Sequence, residues 1–310
     1  MIVPHPAQRG GNAKSSAHRA QLRKPALILA TITGILSRAR AQRTSAAMLF
    51  DMELRAFRRD RAARTGPELF LLERAFADCL ERLALVQRRF ARALLIGCPD
   101  PGWSARLREF VDQVEVRDPG PHFAEAAGGE AIIEDNWVPA PDVYDLVVAI
   151  GTLDTVNDLP LALKIIFQSM QPGSLLLGAI SGGDTVPQLR SAMRAADAVT
   201  GLASAHVHPR IEASAVAPLL SHAGFAMPVV DVDRAMVSYP SLDRLVADLR
   251  RMGATNILDA RSRHNLSKTA LAAARERFAA AGDGKRVIET FEVLHFAAWT
   301  LARIPSSLEG

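Results

Sequence analysis

Apolar positions along this chain change their spacing in an order that predicts the architecture. From Met48 the run MLFDMELRAFRRDRAAR and the stretch from Glu68 to Phe90 carry apolar residues at helical spacing. Leu71, Leu72, Phe76, Leu80, Leu83 and Leu85 stand there among charged neighbours, which predicts two helices packing on the rest of the chain. Short apolar runs then alternate with helical patterns. Ala93 to Ile96 reads as strand one, Ser104 to Val111 as a helix, Val114 to Val116 as strand two and Ala131 to Ile133 as strand three. Asp145 to Ile150 is strand four, nearly unbroken in its apolar character, as a strand buried on both faces should be. Leu159 to Met170 makes the next helix, stopped by Pro172-Gly173, and Ser174 to Ile180 is strand five. This alternation predicts an α/β fold with a doubly wound parallel sheet, and ligand at the carboxyl edge beside strand one.

Composition agrees with a core of that size. The 310 residues are 49% hydrophobic and 23% charged, enough for one large domain. Cys79 and Cys98 are too few for a disulfide framework or a four-cysteine metal site, which points to a reducing compartment. No stretch reaches the roughly 18 to 20 apolar residues that a membrane span needs.

The net charge of +4 is unevenly distributed. Eight basic residues and no acidic one precede Asp51, leaving 29 basic against 33 acidic, a net of −4, for the rest. A mildly acidic body argues against a nucleic-acid partner. Residues 1–47 read as a disordered or targeting-like basic extension. An upstream start before Met48, an organelle or secretory signal, and a surface anchor for anionic lipid all remain open for it. The arginines at 55, 58, 59, 61 and 64 would form a functional patch only if they converged; otherwise they are a solvated helix face.

Candidate chemistry begins at Gly97-Cys98-Pro99-Asp100-Pro101-Gly102, directly after strand one. A strand ending in a glycine turn lets backbone N–H groups approach a ligand, whereas proline lacks the N–H and fixes φ. Asp118 stands 21 residues after Gly97, just past strand two. It is either the acceptor for a ribose hydroxyl pair or an Asp-Pro turn residue. Glu134, Asp135 and Asn136 follow strand three, as acceptors for an adenine amino group or as loop surface. Asp154 either orients an acceptor or caps the helix that begins near Leu159. His206-Val207-His208 has metal-like spacing only on a strand, and no carboxylate ligand stands nearby, so loop histidines and no metal site are expected.

The chain also resembles a known family. Its glycine loop, the acid after strand two, Tyr144-Asp145-Leu146-Val147-Val148, Val156-Asn157-Asp158-Leu159-Pro160 and Gln171-Pro172-Gly173 follow the order of a class I S-adenosylmethionine-dependent methyltransferase. Gly182 to Arg190, His206 with Pro209, Ser238 to Asn256 and the opening Met48 to Arg55 resemble, more narrowly, the methyltransferase-like assembly factors of respiratory complex I. That branch is similar in turn to the malonyl-acyl-carrier-protein O-methyltransferases.

The resemblance implies a Rossmann-like seven-stranded sheet with its last strand antiparallel and helices on both faces. Val230 to Val237 would be strand six, Val287 to Ala298 strand seven, and a helical cap insertion would cover the site. It implies a domain over 48–303, with N-terminal helices in 48–90, a nucleotide-binding half in 91–181, and substrate cap segments in 182–212 and 240–282. The implied cofactor is S-adenosylmethionine, touched by Gly97, Cys98, Gly102, Asp118, Glu134, Asp135 and Ile150. Acceptor contacts would come from Asp154, Asp184, Arg190, His206 and Tyr239. The acceptor would be a protein or acyl-carrier substrate, a complex I subunit included. The chemistry is methyl transfer, a non-catalytic platform role, or hydroxylation of an arginine on a complex I subunit. The expected location is cytoplasmic, with at most peripheral contact at the inner face of the respiratory membrane. The chain departs from the family loop where Leu95 replaces a carboxylate, Pro99 replaces the second glycine, and the third is Pro101 or is displaced to Gly102.

Overall fold

A computed structural model describes residues 48–201 and 203–302; the readings made on 1–47 and on the boundary at 303 lie outside them. Two helices open the described chain, α1 (Met52–Thr65) and α2 (Phe70–Leu85). The carboxylate of Asp51 starts α1 by accepting from Leu54 N at 2.9 Å, which satisfies one of the helix's orphan donors. There follow β1 (Phe90–Ile96), α3 (Gly102–Leu107), β2 (Val111–Asp118), α4 (Pro121–Ala126), β3 (Glu130–Ala131) and β4 (Tyr144–Ile150). A 3₁₀ turn over Leu153–Thr155 leads to α5 (Leu159–Ser169) and β5 (Met170–Ser181). The second half holds α6 (Pro187–Thr200), α7 (Ala213–Ala223), β6 (Ala226–Tyr239), α8 (Leu242–Arg251), α9 (Lys268–Ala279) and β7 (Val287–Trp299).

The sheet runs β3-β2-β1-β4-β5-β7-β6. β7 is antiparallel to both neighbours, and the other pairings are parallel. The expected seven-stranded sheet with an antiparallel last strand is therefore present. Alternate residues of β1 feed opposite faces. Leu94 and Ile96 pack with Leu163 and Ile166 of α5 and Leu220 of α7, while Ala93 and Leu95 pack with Phe76 and Leu83 of α2 and Trp103 of α3. Every residue of β4 is buried, which is why its sequence shows no alternation.

Several boundaries differ from the expected ones. The helix after β1 stops at Leu107, and Val111, expected to end it, begins β2 fully buried. Arg89 sits on the carbonyls of Glu109 and Val111 at 3.1 and 3.4 Å, so the corner is held by a side chain from β1's approach rather than by another helical turn. Pro172-Gly173 lies inside β5, where the register against β4 jumps from Tyr144↔Met170 to Leu146↔Leu175. The strand bulges around a glycine at φ 75° instead of starting after it.

A third apolar cluster rests on β6 and β7. Ala192 and Ala196 of α6, Leu242 and Leu245 of α8, and Ala270, Ala274 and Phe278 of α9 close on Tyr239 and Phe291. These helices come from the two segments expected to form the cap. Among the described residues no helix is long and apolar enough to cross a membrane.

Candidate functional site

The carboxyl ends of β1, β2 and β4 converge on Gly97. Its φ is 81°, and a Cβ there would lie 2.3 Å from the carbonyl oxygen of Ile150, so only glycine lets β1 turn this tightly against β4. Three of the N–H groups beyond it are already engaged. Cys98 N donates to Asp118 Oδ2 at 2.9 Å, Gly102 N to Asp100 Oδ1 at 2.8 Å and Trp103 N to Asp100 O at 3.1 Å. Pro99 and Pro101 contribute no donor. The loop is packed down from outside by Trp103, whose ring stacks on Phe76 at 4.3 Å and whose Nε1 donates to Glu73 at 2.7 Å. Burial pushes the Cys98 thiol up to about 12, which leaves it inert as a nucleophile. Leu95, where the family loop carries a carboxylate, is buried in the sheet against α2.

The acids after β2 and β3 are not open. Asp118 is fully buried and holds Arg59 of α1 through a fork: Nε to Oδ1 at 2.9 Å and Nη2 to Oδ2 at 2.6 Å. Gly120 N completes the set at 2.7 Å from Oδ1. With Cys98 N on Oδ2, both oxygens accept twice, and the usual capacity of a carboxylate is filled. Glu134 is held the same way by Arg55, at 2.7 and 2.8 Å, and Arg55 also donates to Thr152 O at 2.7 Å. Burial works against the Arg55 charge, but Glu134 outweighs it and raises the guanidinium's pKa.

This overturns the solvated-face reading for two of the five arginines. Arg55 and Arg59, one helical turn apart, are buried at 4% and 7% exposure. As α1 stands, a ribose diol has no acceptor left on Asp118, so this arrangement does not accommodate the ribose of S-adenosylmethionine. Asp135 lies beside this pair, buried, and accepts from Asp158 N at 2.9 Å, which steadies the start of α5.

On the other side of the two arginines lies a cavity of about 310 Å³. Its walls are mostly apolar, with Leu71 and Leu72 from α2, Leu189 and Met193 from α6, Leu249 from α8 and Phe291 from β7. Asp154, His206, His208 and Arg210 reach it from the carboxyl edge. Asp154 is ion-paired with Arg210, and both side chains are buried. His208 is 3% exposed and accepts from Ile257 N at 2.9 Å through Nε2. Burial, reinforced by Arg210, lowers its pKa to about 3, so the ring is neutral and its proton sits on Nδ1.

The structure gathers two of the five expected acceptor contacts, Asp154 and His206, at this cavity. His206 is turned toward Asp197, with Nε2 and Oδ1 2.8 Å apart. Arg190 lies behind the wall and donates to the carbonyls of Gly183 and Thr185 at 3.4 and 3.2 Å. Asp184 is an exposed residue 3.8 Å from Arg234. Tyr239 is buried in the cap core beside Phe291. Among the described residues no three His, Cys, Asp or Glu side chains gather as a metal-ligand set. The sequence reading has Arg55 and Arg59 only as a conditional patch and His208 as a loop histidine, and it misses Arg210. The four-residue spacing of the two α1 arginines was the one local signal available.

Comparison with known proteins agrees with the topology. A family model described as a methyltransferase domain matches residues 70–229. The mitochondrial arginine-hydroxylase NDUFAF5 of Rattus norvegicus is 30% identical over 266 residues, covering 81% of this chain and 77% of that protein. The malonyl-[acyl-carrier protein] O-methyltransferase of Laribacter hongkongensis (strain HLHK9) is 30% identical over 271 residues, 79% of this chain and 88% of that one. Among solved structures, a Bacillus halodurans C-125 protein of the methyltransferase class superposes with a TM-score of 0.51 at 11% identity, over 73% of this chain and 99% of its own.

Proposed function

Because this chain belongs to the methyltransferase-domain family, we propose that it holds a protein or carrier-bound acceptor at the carboxyl edge of its sheet, in the assembly of respiratory complex I. The observation that carries this reading is the 310 Å³ cavity between sheet and cap, with the buried Asp154–Arg210 pair at its edge. The relatives give it direction: one is named for an arginine side chain and the other for an acyl-carrier protein. A complex I subunit is the protein acceptor that the sequence resemblance suggests. The location we assign is cytoplasmic, at the inner face of the respiratory membrane.

A platform role is supported by the arginines that occupy Asp118 and Glu134 at the cofactor edge. A second reading, methyl transfer from S-adenosylmethionine, is supported by the strand order and by the tight β1 turn at Gly97. Methyl transfer asks mainly for alignment and exclusion of water, so it places no demand for a general base on this cavity. Mass spectrometry of complex I subunits from cells with and without the protein tests the proposal. A methyl group that disappears with the protein supports transfer, an oxygen that disappears supports hydroxylation, and unchanged subunits with failed assembly support the platform. Normal assembly without the protein overturns the proposal.

A further inference from the structure

α1 meets the body through an unusual face. Its fully buried residues are Arg55, Arg59 and Ala62, and its larger apolar contacts, Met52 and Leu54, are half-buried in the first turn beside Ile257 and Leu258. A helix docked by leucines stays docked because apolar burial has no competitor in water. One docked by guanidinium groups on carboxylates gains little net free energy, since the desolvation of both charges offsets most of their attraction. Such a face is exchangeable by a ligand that offers the same acids equivalent donors.

Each end of α1 is tied to the body through a short segment, and at the C-terminal end Arg251 Nε donates to Gly66 O at 2.8 Å. On its C-terminal side the chain turns through Gly66, at φ 83°, into Pro67, before α2 begins. On its N-terminal side a short strap is stitched down at few points. Asn157 accepts from Phe50 N at 2.8 Å and donates to Phe50 O at 3.0 Å. Asp51 N donates to Ile257 O at 2.9 Å, and Arg261 pairs with the Asp51 carboxylate at 3.0 Å. Phe50 packs on Ile257 and Leu258.

We infer that α1 is a latch over a nucleoside site. Arg59 takes the acceptor positions on Asp118 that a ribose diol would use, Arg55 holds Glu134 beside it, and the site opens when the helix leaves as a unit. The inference rests on the family reading of this sheet edge. Any ligand of the site must then displace five guanidinium hydrogen bonds, four on the carboxylates and one on Thr152 O, and its apparent affinity falls by the fraction of molecules in which the latch is open.

Calorimetry with S-adenosylhomocysteine on the full chain tests this, using the wild type, Asn157→Ala, which loosens the strap without touching the acids, and Arg59→Lys, which replaces the fork by a single ammonium. Hydrogen exchange of residues 52–65 supplies a readout independent of affinity. The expected result is roughly tenfold or greater tightening in both variants, with ligand speeding exchange across α1. Equal affinity in wild type and Asn157→Ala with unchanged protection of α1 overturns the latch and leaves the site a nucleoside site. Absence of binding in every form at millimolar ligand overturns both, and leaves the acceptor-holding platform standing.

Discussion

Arg59 and Asp118 stand 59 residues apart in sequence and form a buried two-point ion pair, 2.6 Å at its shorter contact, where members of this fold are expected to take a ribose. The pair joins the first helix to the end of the second strand. It makes one residue of an N-terminal helix answerable for the state of the cofactor edge.

Removing one partner of such a pair leaves a buried charge alone. Arg59→Ala should lose about 3–5 kcal/mol of stability, and Arg59→Lys less. Urea unfolding followed by circular dichroism reads both. A loss below about 1 kcal/mol for the alanine variant would show that α1 is already off the acids in solution.

His208 ties the fold to pH. Its folded pKa, about 3, lies below its ordinary value because burial, with Arg210 nearby, disfavours the charged ring. Below the ordinary histidine pKa of about 6.5 the unfolded chain therefore binds a proton that the folded chain refuses, and stability falls as pH drops through that window toward 3. His295, also lowered by burial, acts in the same direction. His208→Gln keeps an acceptor for Ile257 N and removes the titration, so its stability should fall less steeply between pH 6.5 and pH 4 in denaturant titrations. Parallel profiles would refute the assignment.

Two glycines with similar backbone angles should respond differently to alanine. Gly97 has φ 81° and no room for a Cβ, whereas Gly128 has φ 69° and nothing within 4 Å. Gly128→Ala should cost about 1–2 kcal/mol from the left-handed backbone alone. Gly97→Ala should cost clearly more, because the added methyl meets the Ile150 carbonyl. Thermal melting of the two variants side by side makes the comparison, and equal shifts would mean that the β1 turn relaxes.

Because β7 lies between β5 and β6, truncation after Gly253 removes a central strand rather than a tail. The expected product shows no cooperative melting by calorimetry. A sharp transition in the truncated chain would place the stability of the fold in β1 to β5.

The acceptor reading separates two aspartates. Asp154 is buried at the cavity and paired with Arg210, while Asp184 is exposed. In cells lacking the protein, Asp184→Ala should restore complex I assembly and Asp154→Asn should restore it roughly tenfold less well. Melting curves of both purified variants establish that each is folded. Equal restoration would remove Asp154 from the acceptor site.

Much of the fold was legible because it is written locally. β1 and β4 are apolar runs bounded by turn residues, and the helix expected near Leu159 does start there, although its cap is Asp158, whose carboxylate accepts from Leu161 N at 2.9 Å, and not Asp154. Boundaries failed where a distant group settles them, as at Val111, where Arg89 holds the corner. Site residues fared less well. Asp154 and His206 do reach the cavity, but Tyr239, which the resemblance placed at the acceptor, turns into the apolar cluster with α6, α8 and α9.

The sequence by itself determined the strands, the glycine turn after β1 and the acids after β2 and β3, since each depends on residues within a few positions of one another. Tertiary structure alone decided what those acids hold. Charged side chains at 55 and 59 read as a solvated face because isolated arginines favour water, and only the carboxylates brought across from β2 and β3 make their burial tolerable. That pairing spans 79 residues for Arg55 and 59 for Arg59, beyond the reach of any local pattern.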